Sequence, residues 1–368
     1  MCSAGVRGGP RAAEILTCAS RGRPQPRHER VVRAASETAM KLYVVTSQDT
    51  PLACTGSDLT DALRAAASQR PEITLVPRME EADALVMHEM FSFKEQRYVQ
   101  RLLSDPVAGR FGYKLYVINF DDCATGLLKG LYTSMPSRRF DPRLHAAIPY
   151  FRYHNPVVFQ SQPTVEPKFL AAWRGNEGSH PLRKQMLERW KGDARFWLES
   201  TQSWYNHGEN EQVRFVEMIR TSKFSLCPGG LAPTSFRIFE SMALGRAPVI
   251  MADQFVYPAG LDWAEFSVQI PERDEARLGE ILEARAGAWE KLGRAAKAAW
   301  DAHFARPVVA TYYLEQILRL YRARSTETQR EEAARWRSRA LWVANGWTLQ
   351  QRLGRKLRSA MRIPQLGS

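Results

Sequence analysis

Short runs of β-forming residues alternate with helical stretches along most of the chain, and this alternation constrains the fold more than any other feature. Residues 41–45 and 114–119 are β-rich runs of the first half, and residues 168–174, 224–227 and 248–251 are such runs of the second half. Strands that alternate with helices form βαβ units and parallel sheets, whose ligands bind at the carboxyl ends of the strands. The sequence therefore predicts an α/β fold.

The same pattern divides the chain into domains. Its 368 residues are enough for two domains and some extensions. Residues 40–165 are predicted to form one Rossmann-like domain, and residues 166–322 a second one. The segment 131–167 carries six prolines and is predicted to be a linker with short strands. Residues 323–368 remain as a basic tail.

The net charge of +13 is concentrated at the two ends of the chain. Residues 1–39 hold seven Arg against three Glu, and residues 321–368 hold eleven Lys and Arg against three Glu, which leaves about +1 for the body. Residues 1–39 are predicted to be disordered, and a true translation start at Met40 is an alternative. A nearly neutral body without a recognition motif argues against nucleic-acid binding.

Cysteine usage and hydropathy indicate the compartment. Five scattered cysteines, none in a C-x-x-C pair, argue against disulfides and structural zinc, and no apolar run approaches the roughly 20 residues of a membrane helix. A cytoplasmic protein is expected. In the tail, Leu349, Leu353 and Leu357 follow at helical spacing among arginines, so a basic amphipathic helix can lie on an anionic membrane at its inner face. Packing on the body or exposure to water is the alternative.

A strand, a Gly-rich turn and a helix follow one another from Phe224 to Ile250. Glycines such as Gly229 let the backbone approach a ligand, and the N–H groups at a helix start favour a diphosphate. A hydroxyl from Thr234 or Ser235 can cap this helix. Arg237 offers a forked cation to phosphate, and Glu240, one turn further on, offers a carboxylate to ribose hydroxyls. The alternative is a solvated Arg–Glu pair within a helix.

Residues 234–250 and 261–268 closely resemble exostosin-type glycosyltransferases, glycosyltransferase family 47. That family has a strand ending in Cys-Pro or a similar pair, a Ser-x-Arg-x-x-Glu-Ala helix, Gly-x-x-Pro-Val-Ile and Trp-x-x-Phe-Ser-Val, and all four occur here in this order. One position departs, because Ser241 stands where the family usually has Ala. The resemblance covers residues 168–275 and fades across residues 40–165, and fucosyltransferases keep a related arrangement.

The resemblance implies a GT-B fold, in which two Rossmann-like domains face a cleft and a C-terminal helix closes them. It also implies that the second domain, residues 166–322, binds a nucleoside-diphosphate sugar donor, and that the first domain, residues 40–165, lies on the acceptor side. The implied transfer is inverting, with no metal or other cofactor at the donor site. The chain contains no Asp-x-Asp, so arginines and helix N–H groups are expected to neutralise the leaving group. Arg174 with Gly175, and Arg183, look like the family's opening to the donor domain, although Arg174 can instead be a surface charge on a loop.

An inverting transfer needs a base that takes the proton of the acceptor hydroxyl. In a GT-B enzyme this base is expected at the carboxyl end of a strand in the first domain. His88 with Glu89, and Asp121 with Asp122, both follow predicted strands there. Either pair can instead consist of ordinary loop residues. Tyr205 is a candidate for stacking on the base or sugar of the donor, or else a core aromatic.

These features predict a glycosyltransferase that moves a sugar from a nucleotide sugar to a glycan or glycolipid acceptor, as in the synthesis of a surface polysaccharide or lipopolysaccharide. A fucosyltransferase-like GT-B enzyme is an alternative of the same class. A noncatalytic protein that binds nucleotide sugars with the same fold is an alternative of another class.

Overall fold

The computed structural model describes residues 39–56, 58–89, 98–122, 124–152, 154–160, 165–202, 208–323, 328–345 and 353. The predicted N-terminal extension therefore lies outside the described residues, apart from Ala39. Ser57, whose hydroxyl is placed in the sequence to cap the first helix, also lies outside them.

The first domain is built on a sheet of six parallel strands in the order β2-β1-β3-β4-β5-β6. The strands are β1 Met40–Val45, β2 Ile73–Leu75, β3 Ala84–His88, β4 Leu115–Asn119, β5 Lys129–Tyr132 and β6 His145–Ala147. Every residue of β4 is buried, as expected for a parallel sheet covered on both faces.

The second domain is built on five parallel strands in the order β11-β10-β9-β7-β8. The strands are β7 Phe169–Gly175, β8 Phe196–Ser200, β9 Ser222–Pro228, β10 Ala247–Met251 and β11 Val268–Gln269. The prediction of an α/β fold with two Rossmann-like sheets is confirmed.

Helices cover both sheets. Those of the first domain are α1 Asp58–Ser68, α2 Tyr98–Ser104 and α3 Ala108–Phe111. Those of the second are α4 Pro181–Trp190, α5 Glu209–Arg220, α6 Phe236–Ala243, α7 Leu278–Glu283 and α8 Trp289–Ala299. Sequence explains the start of α4, because Pro181 occupies its first turn and His180 Nδ1 accepts a hydrogen bond from the Leu182 amide.

The long helix α9 (Val309–Ala323) follows the second domain in sequence but packs on the first. It lies against α1, and Tyr313 donates a hydrogen bond of 2.6 Å to the carbonyl of Pro149. Its apolar face is fully buried, including Leu314 and Ile317. The C-terminal helix thus returns to the first domain, as predicted for a GT-B chain, although residues up to 322 were predicted to belong to the second domain.

Two further helices of the tail, α10 (Gln329–Trp336) and α11 (Arg339–Ala344), pack against the first domain. Trp336 is 0% exposed and lies against Gly112. The described part of the tail is therefore docked on the body, which agrees with packing on the body, the alternative given for the tail. The predicted leucine row lies outside the described residues except for Leu353. Among the described helices, none is long and apolar enough to span a membrane.

The segment 131–167, predicted to be a linker with short strands, does contain short strands, and they belong to the first sheet. Its first part supplies the end of β5 and all of β6, which pair in parallel at Gly130–His145 and Leu131–Ala146. Only the chain after β6 connects the two domains, and it does so with a short helical turn at Pro156–Phe159.

Candidate functional site

The strand order of the second sheet fixes where a ligand can bind. The chain leaves β7 toward β8 on one side of the sheet, and it leaves the neighbouring β9 toward β10 on the other side. In open parallel sheets the crevice at such a switch point, outside the carboxyl ends of the strands, holds the ligand. Here that crevice lies between Gly175, at the end of β7, and Gly229, directly after β9. Both predicted residues are thus brought together.

Gly175 is required by a close approach. A Cβ on this residue would lie 3.0 Å from the ring of Trp173 and 3.6 Å from Nη2 of Arg237. A side chain here would therefore crowd the Trp173 ring and would come into ordinary contact with the guanidinium of Arg237.

Arg237 lies in the first turn of α6, at the mouth of this crevice. Ser235 caps the helix, as predicted, by accepting a hydrogen bond of 3.4 Å from the Arg237 amide. The Arg237 Nε donates to the carbonyl of Arg174 at 2.5 Å, and its guanidinium lies 5.0 Å from the ring centroid of Phe215. Burial lowers the pKa of Arg237. Arg237 is thus held in place, and none of the described carboxylates forms a tight ion pair with it, which favours an anionic ligand.

Arg183 reaches from α4 to the turn after β9. Its Nε donates to the Gly229 carbonyl at 2.8 Å and its Nη2 to the Pro228 carbonyl at 3.2 Å. Burial lowers its pKa to about 10, and the nearby charge of Arg237 acts in the same direction. Arg183 therefore fixes the shape of the Gly-rich turn, and Arg237, held at the end of β7, is its charged neighbour.

Arg174 contributes differently from the prediction. Its Nε lies 3.2 Å from Oε2 of Glu199 and its Nη2 lies 3.1 Å from Oε1 of Glu211. The side chain is 8% exposed and is engaged by two carboxylates. The group that Arg174 presents to the site is its backbone carbonyl, which holds Arg237.

Thr234 and Glu240 are occupied by contacts to other parts of the chain. The Thr234 hydroxyl donates to the carbonyl of Thr133, in the first domain. Oε1 of Glu240 accepts the amide of Asn155 at 2.7 Å, and Glu240 is 4% exposed. The segment that connects the domains therefore occupies one oxygen of the carboxylate predicted to bind the ribose. Tyr205 lies outside the described residues.

The candidate bases of the first domain lie at the carboxyl ends of β3 and β4. Both carboxylate oxygens of Glu89 are engaged, because Tyr98 donates to Oε1 and Asn119 Nδ2 donates to Oε2 at 2.7 Å. Burial raises the pKa of Glu89 to about 7, and the charge of Asp121 adds to this shift. Burial lowers the pKa of His88 to about 4. His88 is thus neutral at pH 7, and Glu89 belongs to a buried hydrogen-bond network with Tyr98 and Asn119.

Asp122 is the candidate base that faces the second domain. Its Oδ1 accepts hydrogen bonds from Ser134 at 3.0 Å and Tyr150 at 3.3 Å. Burial raises the pKa of Asp122, the neighbouring Asp121 also raises it, and the positive charge of Arg183 opposes the shift. The carboxyl ends of the two sheets thus face each other, with Asp122 on one side and the arginines on the other.

Sequence reasoning missed three residues that join these halves: Thr133, Tyr150 and Asn155. Tyr150 packs on Phe236 of α6 with ring centroids 4.1 Å apart while its hydroxyl contacts Asp122. The only sequence signal is the aromatic character of the segment 150–159, which is more than a solvated linker needs. In the described part of the chain, no group of three or more His, Cys, Asp and Glu side chains could hold a metal ion.

The sequence of this region matches a known protein family. Residues 121–285 match the exostosin GT47 domain. A probable glucuronoxylan glucuronosyltransferase of Arabidopsis thaliana is 35% identical over 129 residues, 34% of this chain and 26% of that protein. A probable glucuronosyltransferase of Oryza sativa subsp. japonica is 33% identical over 129 residues, 34% of this chain and 27% of that protein. The matches span about a quarter of the length of these relatives.

The solved structures that match this chain include the following two. An α1,3-fucosyltransferase with GDP has a TM-score of 0.39 at 11% identity, covering 80% of this chain and 94% of that one. Anabaena HepE in complex with UDP-glucose has a TM-score of 0.35 at 11% identity, covering 76% and 99%.

The chain thus carries a domain of the glycosyltransferase class. More narrowly, this domain is an exostosin-like one of glycosyltransferase family 47, which confirms the resemblance.

Proposed function

We propose that this protein transfers a sugar from a nucleoside-diphosphate sugar to a glycan acceptor. The observation that carries the proposal is a pair of neighbouring arginines at the carboxyl ends of two adjacent strands. Arg237 is held by the Arg174 carbonyl in β7 and Arg183 by the Gly229 carbonyl after β9, and the charge of Arg183 reaches Asp122 of the first domain. Two fixed cations suit a diphosphate, and a carboxylate across the cleft suits an acceptor hydroxyl.

The donor diphosphate is assigned to the turn after β9 and the start of α6. As the glycosidic bond breaks, negative charge grows on the leaving diphosphate. Arg237 and Arg183 stabilise this charge from positions that are already fixed, so little reorganisation is needed during the reaction. This mechanism requires no metal ion at the donor site.

Asp122 is assigned as the base of an inverting transfer. Its raised pKa increases the basicity of its ionised form, and Tyr150 and Ser134 hold one oxygen so that the other can meet the acceptor. Glu89 is less suited because both of its oxygens are engaged.

The relatives' names direct the choice of donor. Both are named probable glucuronosyltransferases, and one is named for glucuronoxylan. We therefore place UDP-glucuronate first among the donors to test, with a polysaccharide chain as acceptor. A bacterial surface polysaccharide or a lipopolysaccharide remains within the same proposal.

One observation favours a noncatalytic nucleotide-sugar-binding protein as second candidate. The matched exostosin region, residues 121–285, leaves out β1 to β4 of the first domain, on whose side the acceptor is expected. Such a protein would bind nucleotide sugars without turning them over.

The test is a transfer assay on the full chain in EDTA, with a panel of nucleoside-diphosphate sugars and polysaccharide acceptors. Asp122→Asn should lower the transfer rate by about 10²–10⁴-fold with little change in donor affinity. The wild-type rate should rise with pH as Asp122 loses its proton. The matched control is Asp262→Asn, because Asp262 is exposed and asparagine can replace its helix cap. Donor binding without transfer would favour the second candidate, and full activity of Asp122→Asn would exclude Asp122 as the base.

A further inference from the structure

Two cavities meet at a stacked aromatic pair beside the segment that connects the domains. One has a volume of about 750 Å³ and the other about 700 Å³, and both are lined by Phe159 and Trp300. The two rings lie 6.0 Å apart between centroids at 20° between their planes. Phe159 is 54% exposed. We call the two cavities together the linker groove.

The inner part of the linker groove contains polar atoms that lack partners. Nε2 of His154 contacts the carbonyl of Tyr150 at 3.1 Å, so it carries the proton and Nδ1 is left as an acceptor. Among the described residues, neither Nδ1 of His154 nor Nε of Arg152 has a hydrogen-bond partner, although both atoms are buried. One group accepts and the other donates. A hydroxyl does both, so a ligand rich in hydroxyl groups would satisfy them.

The linker groove is also positively charged. Five cationic side chains line it against two acidic ones: Arg152, Arg220, Arg246, Lys297 and Arg306, against Asp58 and Asp301. This excess stands out because the body of the protein carries only about +1. An anionic occupant is therefore favoured over a neutral one.

These three observations point to one class of ligand. We propose that the linker groove binds an acidic oligosaccharide, namely the acceptor chain of the transfer proposed above, on which this inference rests. The apolar face of a sugar ring packs on an exposed aromatic ring such as Phe159, its hydroxyls meet His154 and Arg152, and its acidic groups meet the arginines. A lipid tail would leave the buried polar atoms unpaired.

The position of the linker groove agrees with an acceptor site. Tyr150 lines its inner end, and the hydroxyl of Tyr150 donates to Asp122, the proposed base. A single side chain thus separates the end of the groove from the residue that would activate the acceptor.

The test is fluorescence anisotropy on the full chain, with a labelled oligogalacturonate as probe and its carboxyl-reduced form as the neutral counterpart. The acidic probe should bind more tightly than the neutral one. Phe159→Ala and Arg306→Gln should each weaken binding of the acidic probe by about tenfold. Arg306→Gln should also reduce the salt dependence of binding.

Matched controls are Val343→Ala, an apolar residue of α11 that is 51% exposed and lies outside the groove, and Arg294→Gln, an exposed arginine of α8. Both should bind the acidic probe as the wild type does. Affinity for UDP is measured on the same variants and should not change, so that loss of glycan binding is distinguished from failure of the donor site.

Three outcomes would overturn the inference: no binding of the acidic probe, equal binding by the Phe159 and Val343 variants, or equal binding of an oligonucleotide of the same charge. Preferred binding of anionic lipid vesicles through Phe159 would assign the groove to a membrane instead. If the probe binds through the groove but no nucleotide sugar binds, the proposed function fails while the glycan site stands.

Discussion

At the scale of single residues, the partners of a side chain decide which chemistry remains open to it. Arg237 and Glu240 are three positions apart, a spacing that predicts one shared ligand. In the structure Arg237 holds the Arg174 carbonyl, 63 positions away, and Glu240 accepts from Asn155, 85 positions away. The cap at Ser235 was predictable because it depends on neighbours in sequence. The distant contacts were not, since no local pattern encodes them.

Glu89 gives a prediction at this scale. Its folded-state pKa of about 7 lies above the usual 4.5, so the folded protein holds this proton more tightly than the unfolded chain. The resulting stability is fully present below pH 4.5 and is lost as pH rises through 7. We expect this loss to reach at most about 3 kcal/mol.

Glu89→Gln removes the titrating group and keeps the side-chain shape. Urea unfolding between pH 5 and pH 8 should therefore show a smaller fall in the free energy of unfolding for this variant than for the wild type. An identical pH dependence in the two proteins would contradict the buried Glu89 network.

At the scale of elements, the strongly patterned strands were predicted well, whereas β5 was not. The runs that became β1, β4, β9 and β10 are rich in β-forming residues, and their type was clear from sequence. β5 was missed because it contains Gly130, whose φ is +145° and whose Cβ would lie 2.1 Å from the Val117 carbonyl oxygen. A glycine that tertiary packing requires is indistinguishable, in sequence, from a loop glycine.

The docking of α10 gives the prediction at this scale. Trp336 is fully buried, and a Cβ on Gly112 would lie 2.6 Å from its ring. Trp336→Ala should lower the free energy of unfolding by about 3–5 kcal/mol, and Gly112→Ala should also be destabilising. Chemical denaturation measures both, with Leu231→Ala as control.

The two changes should not be additive. Removing Trp336 frees the space that a methyl group on Gly112 needs, so the double variant should lose less stability than the sum of the single ones. If Trp336→Ala behaved like the Leu231 control, the docked position of α10 would be wrong.

At the scale of the whole molecule, the two domains are tied together at the mouth of the proposed cleft. Thr234 donates to the Thr133 carbonyl, and Ser137 donates from its amide to the carbonyl of Gln254 at 3.0 Å. Sequence alone indicated two domains and a closing helix. It did not indicate which loops meet, because each of these contacts joins residues about a hundred positions apart. The distance between Asp122 and the arginines depends on these ties.

The proposed donor site depends most on Arg237, which is proposed to bind the diphosphate of a nucleotide sugar. The most direct measurement is calorimetric titration of UDP and UDP-glucuronate into the full chain in EDTA, for the wild type, Arg237→Lys, Arg237→Ala and the exposed control Arg277→Ala. Melting temperatures report whether each variant is folded.

UDP and UDP-glucuronate are expected to bind to the wild type and to the control. Their affinity should be about tenfold weaker in Arg237→Ala, with an intermediate loss in Arg237→Lys because lysine keeps the charge but not the forked guanidinium. No binding of any nucleotide by the folded wild type, or equal affinity in Arg237→Ala, would contradict it.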